Sequence, residues 1–163
     1  MKQGVLIFAQ NNKTDDYVKQ AYLCALSGMQ SGNKHFTLVT DNEVDEKTSF
    51  MFDKVIILEH DDASTSDWKI ENRWKAFNLS PYDETIKLEA DMYIPKSIEH
   101  WFDVMSQQDV VVCDKIRNYK GELSDIRVYR RFIDDNNLPD VYNAITYFKK
   151  SDTAKKFFNI VRD

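Results

Sequence analysis

Short apolar runs alternate along this chain with segments whose apolar residues recur every three or four positions. The first run, Gly4–Ala9, is continuously apolar, which is typical of a strand buried on both faces of a sheet. Later runs are rich in β-branched and aromatic residues and are bounded by polar turns. The pattern predicts strands at 4–9, 35–40, 54–58, 85–88, 109–113 and 141–148.

Four segments between and after these runs have helical spacing. Thr14 is predicted to cap the first helix and Gly32 to end it, because hydroxyl side chains favour the N-cap and glycine favours the position after a helix. The second helix is predicted to open at Asp67 and the third to start at Pro95. Ser151 is predicted to cap the last helix.

Apolar stripes give the expected buried faces of two of these helices. They consist of Ile70, Trp74 and Phe77 in the second helix, and of Ala154, Phe157, Phe158 and Val161 in the last. The segment 114–140 is polar and poorly periodic, so we expect a loop with at most one helical turn.

This alternation of strands and helices predicts an α/β fold. We expect a Rossmann-like, mainly parallel sheet flanked by helices, in one domain that covers residues 1–163. Right-handed crossovers would bring the carboxyl ends of the strands to one edge. That edge would gather the polar residues after the strands, namely Gln10–Asn12, Asp41, Glu59 and Glu89–Asp91.

Charge and composition exclude several classes of protein. The 163 residues carry a net charge of −5, which argues against a broad basic face for nucleic acid. No apolar run is long enough for a signal peptide or a membrane span, so we expect a cytoplasmic protein. Cys24 and Cys113 are expected to be buried, reduced thiols, and no metal-type Cys or His spacing occurs.

Two carboxylates follow the fourth strand. Alternation along an extended chain sends Glu89 and Asp91 to the same side, where their like charges repel. A divalent cation shared with a diphosphate would relieve that repulsion, because Mg²⁺ and similar ions prefer oxygen ligands. The alternative is a pair of solvated charges at a strand end.

The chain contains four short stretches of interest, in the order Asn12–Tyr17, Asn72–Phe77, Ile86–Asp91 and Leu138–Phe148. Together they resemble the nucleotide-sugar-binding half of a GT-A-fold glycosyltransferase, closest to the glycogenin-like branch. Ile86–Asp91 is similar to the strand and D-x-D motif of that family, and Leu138–Phe148 is similar to W-P-D-x-F-N-S-G-V. Asn72–Phe77 resembles the T-K-L-x-x-W helix, and Asn12–Tyr17 resembles the T-N-D-x-Y turn.

The resemblance implies a role for each matching residue. Glu89 and Asp91 would hold Mn²⁺ or Mg²⁺, and Asp140 and Asn143 would contact hydroxyls of the donor sugar. Arg73 would contact the donor phosphate, with Lys75 as the neighbouring candidate.

The remaining implied contacts concern the nucleoside. Tyr17 would pack on uracil, although a purely packing role is also open, and Asp41 would contact ribose or base or simply belong to a turn. Asp61 and Asp62 are expected at the surface. The residues expected to complete the donor site are Phe8, Ala9, Gln10, Asn11 and Ala90.

The resemblance therefore implies a metal-dependent transfer of sugar from a nucleoside diphosphate, with UDP favoured, to an acceptor that the sequence does not identify. Three departures from the family pattern occur: Glu89 replaces the first Asp, Ala144-Ile145 replaces Ser-Gly, and the chain stops at Asp163. The last implies a donor-binding half that is truncated at the C-terminus. Two alternatives stay open: a non-catalytic module that binds nucleotide sugar or metal, and a metal-dependent phosphoesterase.

Overall fold

The described strands form one mixed sheet. The computed structural model describes residues 2–65, 69–114, 117, 120–122, 134–139 and 141–162. Within these ranges the strand order is β3-β2-β1-β4-β6-β5. The strands are β1 Gln3–Phe8, β2 Phe36–Thr40, β3 Lys54–Ile57, β4 Glu84–Glu89, β5 Val110–Asp114 and β6 Val141–Lys149.

Helices connect these strands and flank the sheet. The longest is α1, which follows β1. A 3-10 helix runs directly into α3 in front of β4. The helices are α1 Tyr17–Gln30, α2 Glu46–Ser49, the 3-10 helix Glu71–Lys75, α3 Ala76–Leu79, α4 Glu99–Met105 and α5 Asp152–Arg162.

The sheet is mainly parallel, as the sequence predicts. Strands β3, β2, β1 and β4 run parallel, and β6 is inserted antiparallel between β4 and β5. Leu88 of β4 pairs with Ile145 of β6. The carboxyl ends of β1, β2 and β4 therefore meet the amino end of β6 at one edge, which is where open α/β sheets place their ligands.

Two apolar clusters cover the two faces of the sheet. On one face Ile7 and Ile86 pack with Ala21 and Cys24 of α1. On the other face a second cluster packs around Phe148. Since side chains alternate along a strand, Lys87 and Glu89 lie on the second face, opposite Ile86 and Leu88. The Glu89 side chain is thereby directed away from α1.

The start of α1 corrects one prediction. Thr14 does not cap the helix: the Asp16 carboxylate accepts the Lys19 N–H at 3.0 Å, and the helix begins at Tyr17. Thr14 belongs instead to a turn in which the Asn12 side-chain oxygen accepts its N–H at 2.9 Å. The Asn12 turn moves the N-cap two residues along the chain, from Thr14 to Asp16, because local side-chain acceptors compete with helical hydrogen bonds.

The helix predicted to open at Asp67 is confirmed in part, because a 3-10 helix covers Glu71–Lys75 and the α-helix α3 covers Ala76–Leu79. Asp67 lies outside the described residues, and the segment that follows is a 3-10 helix rather than an α-helix. Ile70, expected inward, is 48% exposed, whereas Asn72 is fully buried. Of the predicted stripe, Phe77 therefore packs against the second cluster and Ile70 does not, and the polar side chain of Asn72 is buried as well.

The third and last helices show one shifted start and one confirmed cap. Helix α4 begins at Glu99 rather than Pro95, because the N–H groups of Ile94 and Ile98 are bound by side chains of α1 and the turn after it. Ser151 caps α5 as predicted, accepting the Ala154 N–H at 3.2 Å. Val161, expected inward, is 54% exposed.

Candidate functional site

The acidic end of β4 is an ion cluster. Glu89 accepts a hydrogen bond from Lys87 Nζ on Oε1 at 2.6 Å and from the Arg73 guanidinium on Oε2. Its side chain is 18% exposed. Both oxygens of Glu89 are therefore engaged by cations, so its charge is compensated by the protein itself.

Lys87 is the central cation of this cluster, and the sequence analysis did not include it. Its side chain is 2% exposed, and burial lowers its pKa although the Glu89 charge acts in the opposite direction. Nζ also donates to the main-chain oxygen of Asn143. The signal was present in the sequence, since Lys87 stands in an apolar strand two positions before Glu89 and so on the same face.

Asn143 joins the cluster from the first residues of β6. Its side-chain oxygen accepts from the Thr146 hydroxyl at 2.7 Å and lies 3.4 Å from Lys87 Nζ. The predicted sugar-contacting residue is thus tied to the predicted metal-binding acid through one lysine. Asp140, its predicted partner, lies outside the described residues.

Asp91 lies in the turn after β4 and differs from Glu89. It is exposed, and no residue of the described ranges forms a hydrogen bond or ion pair with its carboxylate. Burial raises the pKa of the Cys24 thiol to about 12, and the nearby charge of Asp91 adds to this shift. Asp91 therefore presents free carboxylate oxygens at the same edge at which Glu89 is paired.

The two candidate phosphate cations have different partners. Arg73 contacts Glu89, whereas Lys75 lies 3.2 Å from the Asp62 carboxylate and 2.8 Å from the Asn72 side-chain oxygen. Lys75 therefore fastens the segment after β3 to the 3-10 helix. Only Arg73 stands beside the acidic strand end.

A second polar cluster lies at the carboxyl ends of β1 and β2. The buried Gln10 donates from Nε2 to Asp41 at 3.1 Å and to Asp61 at 3.0 Å. Asn72 donates from Nδ2 to Gln10 Oε1 at 2.9 Å and to Asp61. Because Asn72 and Arg73 are adjacent in the 3-10 helix, this helix connects the two clusters.

Asp61 was expected at the surface, but it belongs to this second cluster through its hydrogen bonds with Gln10 and Asn72. Burial favours its neutral form, but hydrogen bonds from Gln10, Asn72 and the Ala63 N–H outweigh that effect and lower its pKa. No local sequence pattern indicates this contact, because it joins residues 10, 61 and 72 across the fold.

Asp41 carries an unused acceptor. Its Oδ2 is held by Gln10, while Oδ1 is buried and has no hydrogen-bond partner among the described residues. A buried acceptor without a donor costs free energy, so such atoms are candidates for ligand contacts. The predicted base or ribose contact of Asp41 has an oxygen available for it.

The remaining predicted residues line the same edge. The Asn11 side-chain oxygen accepts the Val18 N–H at 3.0 Å and thereby holds the start of α1. Tyr17 is partly buried and packs against the apolar cluster that contains Ala21 and Cys24 of α1. Phe8, Ala9 and Ala90 are buried, so only their main chain can reach a ligand.

Within the described ranges, no group of three or more His, Cys, Asp or Glu side chains is placed to hold a metal ion. A metal bound here would therefore take at most two carboxylates from these residues. None of the described helices is both long and apolar enough to cross a bilayer.

Comparisons with known proteins identify the fold. The chain is similar to GlyE, a glycosyltransferase of Streptococcus pneumoniae TIGR4, with a TM-score of 0.60, 9% identity, and coverage of 99% of this chain and 38% of GlyE. It is similar to the galactosyltransferase LgtC, solved with donor and acceptor sugar analogues, with a TM-score of 0.61, 11% identity, and coverage of 96% and 59%. It is also similar to TarS of Staphylococcus aureus, with a TM-score of 0.51, 16% identity, and coverage of 92% of this chain and 28% of TarS.

No known family model and no curated protein matches the chain. The structural likeness confirms the GT-A-like glycosyltransferase fold that the motifs predict, and the glycogenin-like branch stays a prediction. The chain spans 38% of the length of GlyE and 59% of LgtC.

Proposed function

We propose that this chain binds a nucleoside-diphosphate sugar and acts in transfer of the sugar to an acceptor. The observation that carries the proposal is the cluster of Arg73, Lys87, Glu89 and Asn143 at the carboxyl end of β4. In the sequence, three of these residues occupy motif positions expected to contact phosphate, metal and sugar. In the structure, one side-chain network joins them.

A divalent metal, Mn²⁺ or Mg²⁺, is part of this proposal. The available ligands are carboxylate oxygens, which suit either ion, and the exposed Asp91 offers them without competition. Glu89 fits only after Arg73 has turned away from it, because both of its oxygens carry a cation. Bound between Asp91 and a diphosphate, the metal would supply charge neutralisation at the leaving group.

The protein residues have complementary roles in this proposal. Breaking the bond between sugar and diphosphate leaves negative charge on a phosphate oxygen, and Arg73, which is paired with Glu89, would move to that oxygen. Lys87 keeps Glu89 and Asn143 in place during this exchange, since it bonds both. Asn143 and Asp140 would orient the sugar through its hydroxyls.

Uridine is the proposed nucleoside. The N3–H of uracil is a donor that the free Oδ1 of Asp41 can accept, and Tyr17 begins α1 on the same edge. Uridine diphosphate also supplies the phosphate oxygens that Arg73 and the metal require. A cytoplasmic location, predicted from the sequence, remains a prediction.

Thermal unfolding with Mn²⁺ and UDP, GDP, ADP or CDP tests the proposal. A ligand at about 100 times its Kd stabilises by roughly 2.7 kcal/mol, which raises the melting temperature of a domain of this size by about 5–10 °C. We expect the largest rise with UDP. A larger rise with another nucleotide would refute uridine, and no rise with any of them would refute donor binding by this chain.

One observation also favours a second candidate, a module that binds nucleotide sugar without catalysis. Both carboxylate oxygens of Glu89, the predicted metal ligand, are occupied by ion pairs with Arg73 and Lys87. A protein that only binds the nucleotide sugar could keep these ion pairs, because it does not need Glu89 to bind a metal. UDP-sugar that is bound but never hydrolysed or transferred would favour this candidate. Among the described residues, no comparable contact favours a phosphoesterase.

A further inference from the structure

A small cavity opens beside the ion cluster, between helix α5, the 3-10 helix and strands β5 and β6. Its volume is about 180 Å³. At one end it is polar, because Arg73, Lys87, Asn143 and Thr146 line it there. These are residues of the proposed sugar site, so whatever fills the cavity stands next to the bond that would react.

The rest of the cavity is apolar and partly open to solvent. Its walls include Trp74, Phe157 and three side chains near the mouth: Val112 is 38%, Tyr142 42% and Val161 54% exposed. Leaving this much apolar surface in water is unfavourable by about 25 cal/mol per Å². A ligand with an apolar group would remove that cost.

Trp74 forms a fixed wall of this cavity. Its indole N–H donates to the Asp62 carboxylate at 3.1 Å, and cations lie near its ring, Lys75 Nζ at 5.5 Å and the Arg162 guanidinium at 5.8 Å from the centroid. A ring held in this way does not have to be ordered when a ligand binds, which favours affinity.

The size of the cavity limits its occupant. An apolar cavity of about 150 Å³ in another, engineered protein holds one benzene molecule. The present cavity of about 180 Å³ therefore has room for one aromatic ring and a short polar arm, and not for a disaccharide. A sugar ring also suits the apolar walls poorly, because its hydroxyls would lose hydrogen bonds to water.

We propose that this cavity, the ring pocket, binds a single aromatic ring of the acceptor, with the acceptor hydroxyl directed to the polar end at Asn143. The assignment of the bound molecule as the sugar acceptor rests on the proposed function, whereas the binding of an aromatic ring by the pocket does not. The substrate class is thus an alcohol or glycoside that carries one aryl group close to its reactive hydroxyl.

The probes are benzyl alcohol, which has a ring and a hydroxyl, and 1-propanol, which lacks the ring. We expect benzyl alcohol to produce saturable amide chemical-shift changes at Val112, Asn143 and Val161 with a Kd of about 1–10 mM, the range for a ligand of this size. Propanol should bind about tenfold more weakly, because it lacks the apolar area of the ring. No saturable change at these amides, or equal binding of both alcohols, would overturn the proposal.

Two matched variants locate the binding. Val161→Asp places a charge at the mouth of the pocket, and Ile160→Asp places it on the neighbouring position of α5, which is 76% exposed and does not line the pocket. We expect only Val161→Asp to weaken the binding of benzyl alcohol, with a Kd that rises at least about tenfold. Unchanged binding by Val161→Asp would overturn the proposal, as would shifts centred on the larger cleft of about 610 Å³ near His35 and His100.

The same samples separate this inference from the proposed function. Val161→Asp should keep the thermal response to UDP and Mn²⁺, since Val161 contributes to the pocket and is not assigned to the donor site. If benzyl alcohol binds the pocket and no nucleotide binds the chain, ring binding stands and the acceptor assignment falls. If UDP binds and the ring does not, only this inference falls.

Discussion

Replacing Glu89 by Gln tests how the acidic strand end is stabilised. Seen as one of two repelling carboxylates, Glu89 should cost stability, and its neutralisation should leave the protein unchanged or more stable. The structure gives the opposite expectation. Glu89 is the shared anion of Arg73 and Lys87, so Gln would leave a buried ammonium beside a guanidinium with no carboxylate.

The magnitude follows from the burial of Lys87. Removing one partner of a buried ion pair costs about 3–5 kcal/mol, mainly because the other charge stays buried and unpaired. Lys87 is only 2% exposed, but the Glu89 side chain is 18% exposed, so the pair is partly screened by water. We therefore expect a loss of stability at the lower end of this range, about 3 kcal/mol. For a protein of this length the melting temperature should fall by about 6–12 °C.

The pH dependence of the Glu89→Gln variant gives an independent check. Burial already lowers the pKa of Lys87 below its ordinary value of 10.5, and Glu89 opposes that shift. Without Glu89 the folded-state pKa falls further, so the unfolded state binds more protons between that pKa and 10.5. Stability relative to wild type should therefore recover as the pH rises through this interval.

Urea unfolding at several pH values is the assay. Glu59→Gln is the control, because Glu59 is exposed and surface substitutions stay within about 0.5 kcal/mol. The double variant Glu89→Gln/Lys87→Met should regain most of the lost stability, since it removes the stranded ammonium. A Glu89→Gln protein as stable as wild type, or a double variant that is less stable still, would show that Glu89 does not compensate the buried charge of Lys87.

Two further predictions concern the second polar cluster and the core. Asn72→Ala should lower the free energy of unfolding by about 2–3 kcal/mol in urea titrations, because it leaves Gln10 and the Asp62 N–H without their partners, whereas exposed Asn78→Ala should change little. Full stability of Asn72→Ala would contradict the role of the cluster. Stability should fall as the pH rises above about 9, because burial raises the folded-state pKa of Cys24 to about 12 and the unfolded thiol loses its proton first. Cys24→Ala should reduce the slope of stability against pH between 8 and 10, and an unchanged slope would argue against it.

The sequence predicted the sheet well because its strands are marked locally. The apolar runs place all six described strands within about two residues, and the Ser151 cap is confirmed by a local contact. Both signals depend on near neighbours in the chain, which is why a single sequence reveals them.

The contacts of the site were harder to predict because they join distant positions. Glu89 lies at the end of β4 and Asp91 in the turn after it, as the strand pattern predicts, but the pairing of Glu89 with Arg73 could not be predicted, because Arg73 is 16 positions away in the sequence. The burial of Asn72 could not be predicted, because its partners Gln10 and Asp61 lie 62 and 11 positions away in the sequence. The role of Lys87 in the ion cluster was not predicted, because Lys87 lies within a predicted strand and outside the acidic motif.

We propose that Asp91 and a nucleoside diphosphate bind a metal ion together, and isothermal titration calorimetry measures this coupling. Mn²⁺ is titrated into the protein with and without saturating UDP, and into Asp91→Asn, with exposed Asp103→Asn as control. We expect Mn²⁺ to bind at least about tenfold more tightly with UDP, a coupling typical of linked sites. Asp91→Asn should lose that gain and Asp103→Asn should keep it. Equal Mn²⁺ affinity with and without UDP, or full coupling in Asp91→Asn, would contradict the account.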